Sequence, residues 1–304
     1  MILGCNQFTH PYQQLNVKFN ASHEVLWAYM HQKNMIPCFN SQLIDEITHF
    51  QNAIEQSRGV YLEGDKVHRI KYVVVASLTP QVFNLGGHLA LMRKLIMSKN
   101  TELLRDYAIK GIDALAHRIF RFNVPSITTI SLLQGQTLGA GLEAALTSDV
   151  VIAERKTLLG FPEILFNMFP GMGGYSLAAR KVGAKLAEQM ILKGRIYTAE
   201  QAHEMGLVDI LVENGEGEAA VYDWIESNNR FSTGFLALQK VKNCYNPISY
   251  DELTNITNVW LDTAEHLTEH DLSIMERFIS KQEAQFAPLK ATNSNVMPLF
   301  KQTA

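Results

Sequence analysis

Two glutamates and the glycine-rich segments beside them are where this sequence can do chemistry. Glu143 falls in the first turn of a helix-forming stretch, Leu142 to Thr147, that follows Gly135-Gln-Thr-Leu-Gly-Ala-Gly141. Amides at a helix start have no intrahelical acceptor, and the helix dipole favours negative charge on a ligand held there, so an oxyanion fits. Glu163 follows Pro162, twenty positions on. That separation lets a helix and a pair of strands turn back and bring both carboxyls to one cavity. Paired carboxyls suit general acid–base work, because desolvation raises their proton affinities and mutual repulsion leaves one charged and one neutral. The plainer reading is that Glu143 complements a helix N-terminus and Glu163 is a solvated loop charge. The glycine-flanked loop upstream of each amide donor and the apolar sequence around both carboxyls set this pair apart.

Other chemistries find less support. The spacing Gly135-xxx-Gly-Ala-Gly141 matches neither a Walker loop ending in Gly-Lys-Ser/Thr nor a GxGxxG fingerprint, which disfavours a nucleotide. Cys5, Cys38 and Cys244 are far apart and form no CxxC or Cys/His pattern, so neither a metal site nor a disulfide framework is expected, and no cofactor is implied. With 27 basic and 30 acidic side chains the net charge is −3, without the basic footprint that nucleic acid requires. Hydrophobic residues at 47% and charged residues at 19% exclude a disordered chain, and the lack of a run of about 20 apolar residues excludes membrane insertion. The first residues show no charged n-region followed by an apolar stretch, so a cytoplasmic, reducing location is expected.

The elements that must position the glutamates read as alternating strands and helices. At about 150 residues per domain, 304 residues suit two domains or one large α/β unit. A polar arm ends in a strand at Leu15 to Asn20, and Glu24 to Cys38 has aromatics without a clean period and receives no assignment. Apolar residues at Leu43, Ile44, Ile47, Phe50 and Ile54 predict a helix from Ser41 to Arg58 with Ser41 as its cap. Arg69 to Ser77, Ser126 to Leu133 and Asp149 to Glu154 are β-branched runs of the buried-strand type, joined by Thr157 to Phe161 and Val208 to Glu213. Helices are predicted at His88 to Lys99, Glu102 to Phe120, Gly174 to Val182, Ala184 to Lys193, Thr198 to Met205 and Glu218 to Asn228, and almost throughout Phe235 to Gln285. Strand, glycine loop and helix recur in order, which argues for crossover units whose ligands settle at the carboxyl ends of strands.

Six ordered motifs then carry a resemblance: Phe83-Asn-Leu-Gly-Gly-His88, Gln134 to Glu143, Ser148 to Ala153, Leu159-Gly-Phe-Pro-Glu163, Phe169-Pro-Gly-Met-Gly-Gly174 and Thr198 to Asp209. Together they resemble the crotonase (enoyl-CoA hydratase/isomerase) superfamily over roughly residues 69–213. That resemblance implies an α/β spiral of ββα units with a C-terminal helical region, assembled as a homotrimer or hexamer. It divides the chain into a catalytic core with its N-terminal arm at 1–230, a helical region at 231–287 and a non-periodic tail at 288–304. It also implies Glu143 and Glu163 as catalytic residues and the backbone amides of Gly87 and Ala140 as an oxyanion hole. His88 replaces the usual Asp after the first donor, and Ala140 replaces a glycine, which a backbone donor tolerates if its φ is negative. Substrate contacts are implied at Gly86, Leu138, Gly139, Met172 and Trp260.

Within the superfamily, the helix-rich insertion after Gly87 and the phrase Phe161 to Gly173 resemble synthases of diffusible signal factor, cis-2-unsaturated fatty acids used in bacterial signalling. The implied activity is dehydration of a 3-hydroxyacyl thioester on acyl carrier protein, then hydrolysis to the free acid. A CoA thioester is the implied substrate of an ordinary enoyl-CoA hydratase or isomerase, the alternative. A third reading is a catalytically quiet module bound to a sensor kinase. Arg93, Lys94, Arg180, Lys181 and Lys185 are candidate contacts for an acidic carrier protein, while His88 and His203 read as structural.

Overall fold

Runs of β-branched and aromatic residues that do not alternate in polarity build a sheet covered on both faces. The structure, a computed structural model, describes Phe8 and residues 10–30 and 35–286. In chain order its strands are β1 (Leu15–Asn20), β2 (Val25–Met30), β3 (Val60–Glu63), β4 (Lys66–Arg69), β5 (Tyr72–Ser77), β6 (Val82–Asn84), β7 (Thr128–Leu133), β8 (Gln136–Leu138), β9 (Val150–Glu154), β10 (Leu158–Gly160), β11 (Ile196–Thr198) and β12 (Ile210–Val212). The helices are α1 (Ser41–Gln56), α2 (Leu89–Met97), α3 (Thr101–Ile119), α4 (Ala140–Leu146), α5 (Gly174–Val182), α6 (Ala184–Lys193), α7 (Ala199–Met205), α8 (Gly217–Asn229), α9 (Ser232–Tyr245), α10 (Tyr250–Glu265) and α11 (Glu269–Phe286).

One sheet has six strands in the order β1-β2-β5-β7-β9-β12, and a second has four in the order β11-β10-β8-β6. In the large sheet only β1 against β2 is antiparallel, and in the small one only β10 against β11. Each turn of chain therefore gives its first strand to the large sheet and its second to the small one: β5 then β6, β7 then β8, β9 then β10. This is the α/β spiral of ββα units with a helical C-terminal region, and the glycine loops lie where the chain passes between sheets.

Side chains leave the two faces of the large sheet into different cores. Val25, Trp27 and Tyr29 of β2 pack with Tyr72, Val74 and Ile130 under Val221 and Ile225 of α8. Leu26, Ala28 and Met30 of the same strand face Leu43, Phe50 and Ile54 of α1. With both faces buried there is no polar alternation, which is why Glu24 to Cys38 received no assignment although β2 runs through the sheet. A third core joins α2, α3, α10 and α11 through Met92, Leu104, Trp260 and Met275.

Three expectations change. The cap of α1 is Asn40 rather than Ser41, because the Asn40 carboxamide oxygen accepts the Leu43 N–H at 2.9 Å. Within the run Arg69 to Ser77 the sheet strand is β5 alone, Tyr72–Ser77, while Arg69 ends β4 of a hairpin. The stretches read as glycine loops contain β6 and β8, three residues each, which form the small sheet. The tail at 288–304, Cys5 and the first residues of the arm lie outside the described residues.

Candidate active site

The Glu143 carboxyl is placed by α4 and held by the start of α5. It points away from the amides of its own helix, and its Oε1 accepts the N–H groups of Met172 and Gly174, each at 2.8 Å. Gly174 opens α5, so its N–H is one of that helix's unpaired donors. Burial raises the proton affinity of Glu143, the two donors pull it back, and the result is a pKa pushed up to about 7. Sequence reasoning missed these two donors, since a backbone N–H carries no residue-type signature beyond the glycines around it.

Glu163 follows β10 and opens a short 3-10 turn, Glu163–Phe166. Part of the side chain reaches the cavity surface, yet its Oε2 is buried and has no hydrogen-bond partner. Burial first, and the nearby Glu143 second, push its pKa up to about 8. The carboxyl lies against Gly139, where an added Cβ would stand 2.4 Å from Oε1, and Gly139 has φ of +52°. The backbone conformation thus requires glycine there, and a Cβ would displace the Glu163 carboxyl.

The loops bearing Gly87 and Ala140 meet at Gly86. A Cβ on Gly86 would stand 2.8 Å from the Leu138 carbonyl oxygen and 3.2 Å from the Ala140 nitrogen, so its absence brings the loops together. Ala140 is the first residue of α4, and it is not among the residues with positive φ. Tyr107 of α3, which sequence reasoning did not single out, fixes the first loop. Its hydroxyl donates to the Phe39 carbonyl at 2.6 Å and accepts the His88 N–H at 2.9 Å.

A single cavity of about 810 Å³, its mouth included, is lined by Gly86, Gly87, Leu138, Gly139, Ala140, Glu143, Glu163, Met172 and Trp260. The nine residues that the sequence nominates for catalysis, the oxyanion hole and substrate contact therefore line one cavity, joined by Met92, Phe166, Phe169 and Phe278, which make the walls apolar. Chemically, the arrangement offers a carboxylate steadied by two amides, a carboxyl with a free oxygen, and loop amides beside both in a low-dielectric space.

Other nominated groups are engaged elsewhere. The His203 ring lies 2.9 Å from the Val208 carbonyl oxygen. Of the candidate carrier contacts, Arg93 pairs with Glu276, Arg180 with Glu252, Lys181 with Asp209 and Lys185 with Glu188. These four serve ion pairs within the chain and do not form a row of unpaired cations. Among the described residues no group of three or more His, Cys, Asp or Glu side chains gathers to hold a metal, and no helix is long and apolar enough to cross a membrane.

The sequence matches the profile of the enoyl-CoA hydratase/isomerase family over residues 21–289. Probable enoyl-CoA hydratase 2, mitochondrial, of Arabidopsis thaliana is 31% identical over 194 residues, 63% of this chain and 58% of that protein. The 2,3-dehydroadipyl-CoA hydratase of Escherichia coli K12 is 44% identical over 91 residues, 30% of this chain and 34% of that protein. The matched stretches thus span less than two thirds of these relatives' lengths. The crystal structure of enoyl-CoA hydratase from Bacillus halodurans superposes with a TM-score of 0.73 at 16% identity, covering 87% of this chain and all of the other, a likeness of fold.

Proposed function

The chain belongs to the enoyl-CoA hydratase/isomerase family, and from that premise we propose that it adds water to the 2,3-double bond of an acyl thioester or removes it again. The observation that carries this reading is the unequal pair of carboxyls on one apolar cavity. Glu143, with two N–H donors, is the carboxyl that ionises first, and Glu163, with an unpartnered oxygen and a neighbouring charge, keeps its proton longer. In the hydration direction the Glu143 carboxylate takes a proton from water as its oxygen bonds to C3. Glu163 gives its proton to C2. Elimination reverses both transfers. Negative charge passes through the thioester oxygen, where the amides of Gly87 and Ala140 each contribute on the order of 3–4 kcal/mol if aimed at it in a dry site.

The test is loss of enoyl-thioester absorbance when the purified chain meets crotonyl-CoA and longer 2-enoyl-CoA substrates. Hydration by the wild type and its loss in Glu163→Gln are expected. No turnover of any thioester would refute the reading.

A second reading gives the same site two steps, dehydration of a 3-hydroxyacyl carrier protein and hydrolysis to a free cis-2-unsaturated acid. The segment α2–α3 after Gly87 and the phrase Phe161 to Gly173 favour it. A glutamate-activated water would attack the carbonyl, with the loop amides holding the tetrahedral oxyanion. Mass spectrometry of products from 3-hydroxyacyl carrier protein separates the readings: free cis-2 acid supports this one, and thioester-bound product alone supports the first.

A further inference from the structure

Behind the catalytic cavity lies a second one that the mechanism does not use. It is a void of about 70 Å³ between the large sheet and the helices α1 and α3, and its lining is almost wholly apolar. Ala28 and Val75 come from the sheet, Ile47 and Phe50 from α1, and Ala114 and Leu115 from α3. Protein interiors are packed to crystal density, and a void sacrifices dispersion contacts along its wall. An apolar chamber also holds water poorly. Its polar neighbours are mostly engaged among themselves: Arg118 donates to the Ile130 carbonyl and the Ser148 hydroxyl, Thr147 to the Ala144 carbonyl, and the Gln51 amide nitrogen to the Ala114 carbonyl. The Gln51 Oε1 alone is buried without a partner.

The chamber shares two residues with the catalytic cavity, Tyr107 and Met172. Tyr107 is a fixed post, bound at its hydroxyl from two sides. Met172 is unbranched and adaptable, and its sulfur sits against Gly111, where a Cβ would stand only 2.6 Å away. Its backbone N–H meanwhile holds Glu143.

On the proposed thioester chemistry, we propose that the terminal carbons of a medium- or long-chain acyl group pass between Tyr107 and Met172 and lodge in this second chamber. The first cavity then holds the thioester and the carbons next to it, and the volume behind Met172 sets how long a chain is accepted. Because Met172 both walls the passage and donates to Glu143, a tail in the passage touches the residue that steadies that carboxylate.

The test compares kcat/KM for dodecenoyl and crotonyl thioesters. Ala114→Phe fills the chamber without touching the first cavity, and Ile47→Ala enlarges it. For Ala114→Phe the dodecenoyl-to-crotonyl ratio should fall about tenfold or more, as expected when several methylenes lose their burial, with crotonyl turnover kept. For Ile47→Ala the optimum should move to a longer chain. Unchanged ratios in both, or a wild type that ignores the dodecenoyl substrate, overturn the chamber assignment while leaving the proposed function intact. A wild type that consumes neither thioester refutes the proposed function itself. If either variant fails to fold, a crystal structure of the wild type with a dodecyl thioether analogue of CoA decides. A terminal methyl between Ile47 and Ala114 supports the assignment, and one beside Trp260 or in solvent overturns it.

Discussion

A carboxyl that accepts two amide donors and one whose buried Oε2 has no partner do not hold their protons alike, even when burial presses on both. Glu143 and Glu163 differ in this way, and each should be indispensable for a different transfer. Glu143→Gln and Glu163→Gln are expected to lower kcat by about 10²–10⁴-fold while keeping the fold, measured as initial rates beside a circular dichroism spectrum. The same physics has a consequence for stability. Both groups have raised proton affinities in the native chain, so their favourable neutral forms are fully present below the ordinary carboxylate range. That contribution is lost as pH rises through about 7 and 8. Glu163→Gln, which never ionises, should therefore match the wild type in melting temperature at pH 5. At pH 9 it should melt above the wild type. Equal melting at both pH values would show that Glu163 is not held in a desolvating site.

At the scale of elements, the catalytic loops depend on neighbours that do no chemistry. Tyr107 stands on α3, and its hydroxyl ties Phe39 before α1 to His88 beside Gly87. Tyr107→Phe leaves the part-buried Phe39 carbonyl and His88 N–H short of a partner, at about 1–3 kcal/mol. Denaturant unfolding should show that loss, and kcat should fall more than KM rises, because the displaced amide of Gly87 acts mainly on the developing charge. This role was not legible in the sequence, where Tyr107 is one more aromatic in a helical pattern. What was legible had a residue-type signature: glutamates inside glycine loops, with glycines where the loops approach and at the positive φ of Gly139. The helices carried their 3.6-residue period and most were placed within a few residues. The three-residue strands β6 and β8 are too short to show a period, and β2 shows none because its two faces serve two cores. The Met172 and Gly174 donors and the chamber behind Met172 arise from tertiary packing alone.

At the scale of the whole molecule, α9 is the element that one chain leaves unfinished. Of its fourteen residues only Gln239 is buried, while Leu238, Val241 and Tyr245 are exposed, with Tyr245 at 88%. Phe231, just before the helix, lies seven residues from Leu238 and joins the same face. A helix gains most of its stability from packing an apolar face, and an exposed stripe of this kind marks a surface that associates. A second copy of this chain is the occupant consistent with the trimers or pairs of trimers that the family resemblance implies. Sedimentation velocity should therefore give the mass of a trimer or hexamer at micromolar concentration. Leu238→Lys combined with Val241→Lys should shift it to the monomer. Because a short connection, residues 246–249, joins α9 to α10, whose Trp260 walls the catalytic cavity, loss of the assembly should also loosen that wall. Specific activity should then fall on dilution of the wild type, in step with the loss of mass. In the double variant it should be low at every concentration, and a wild type that sediments as a monomer with undiminished activity would show that α9 needs no partner.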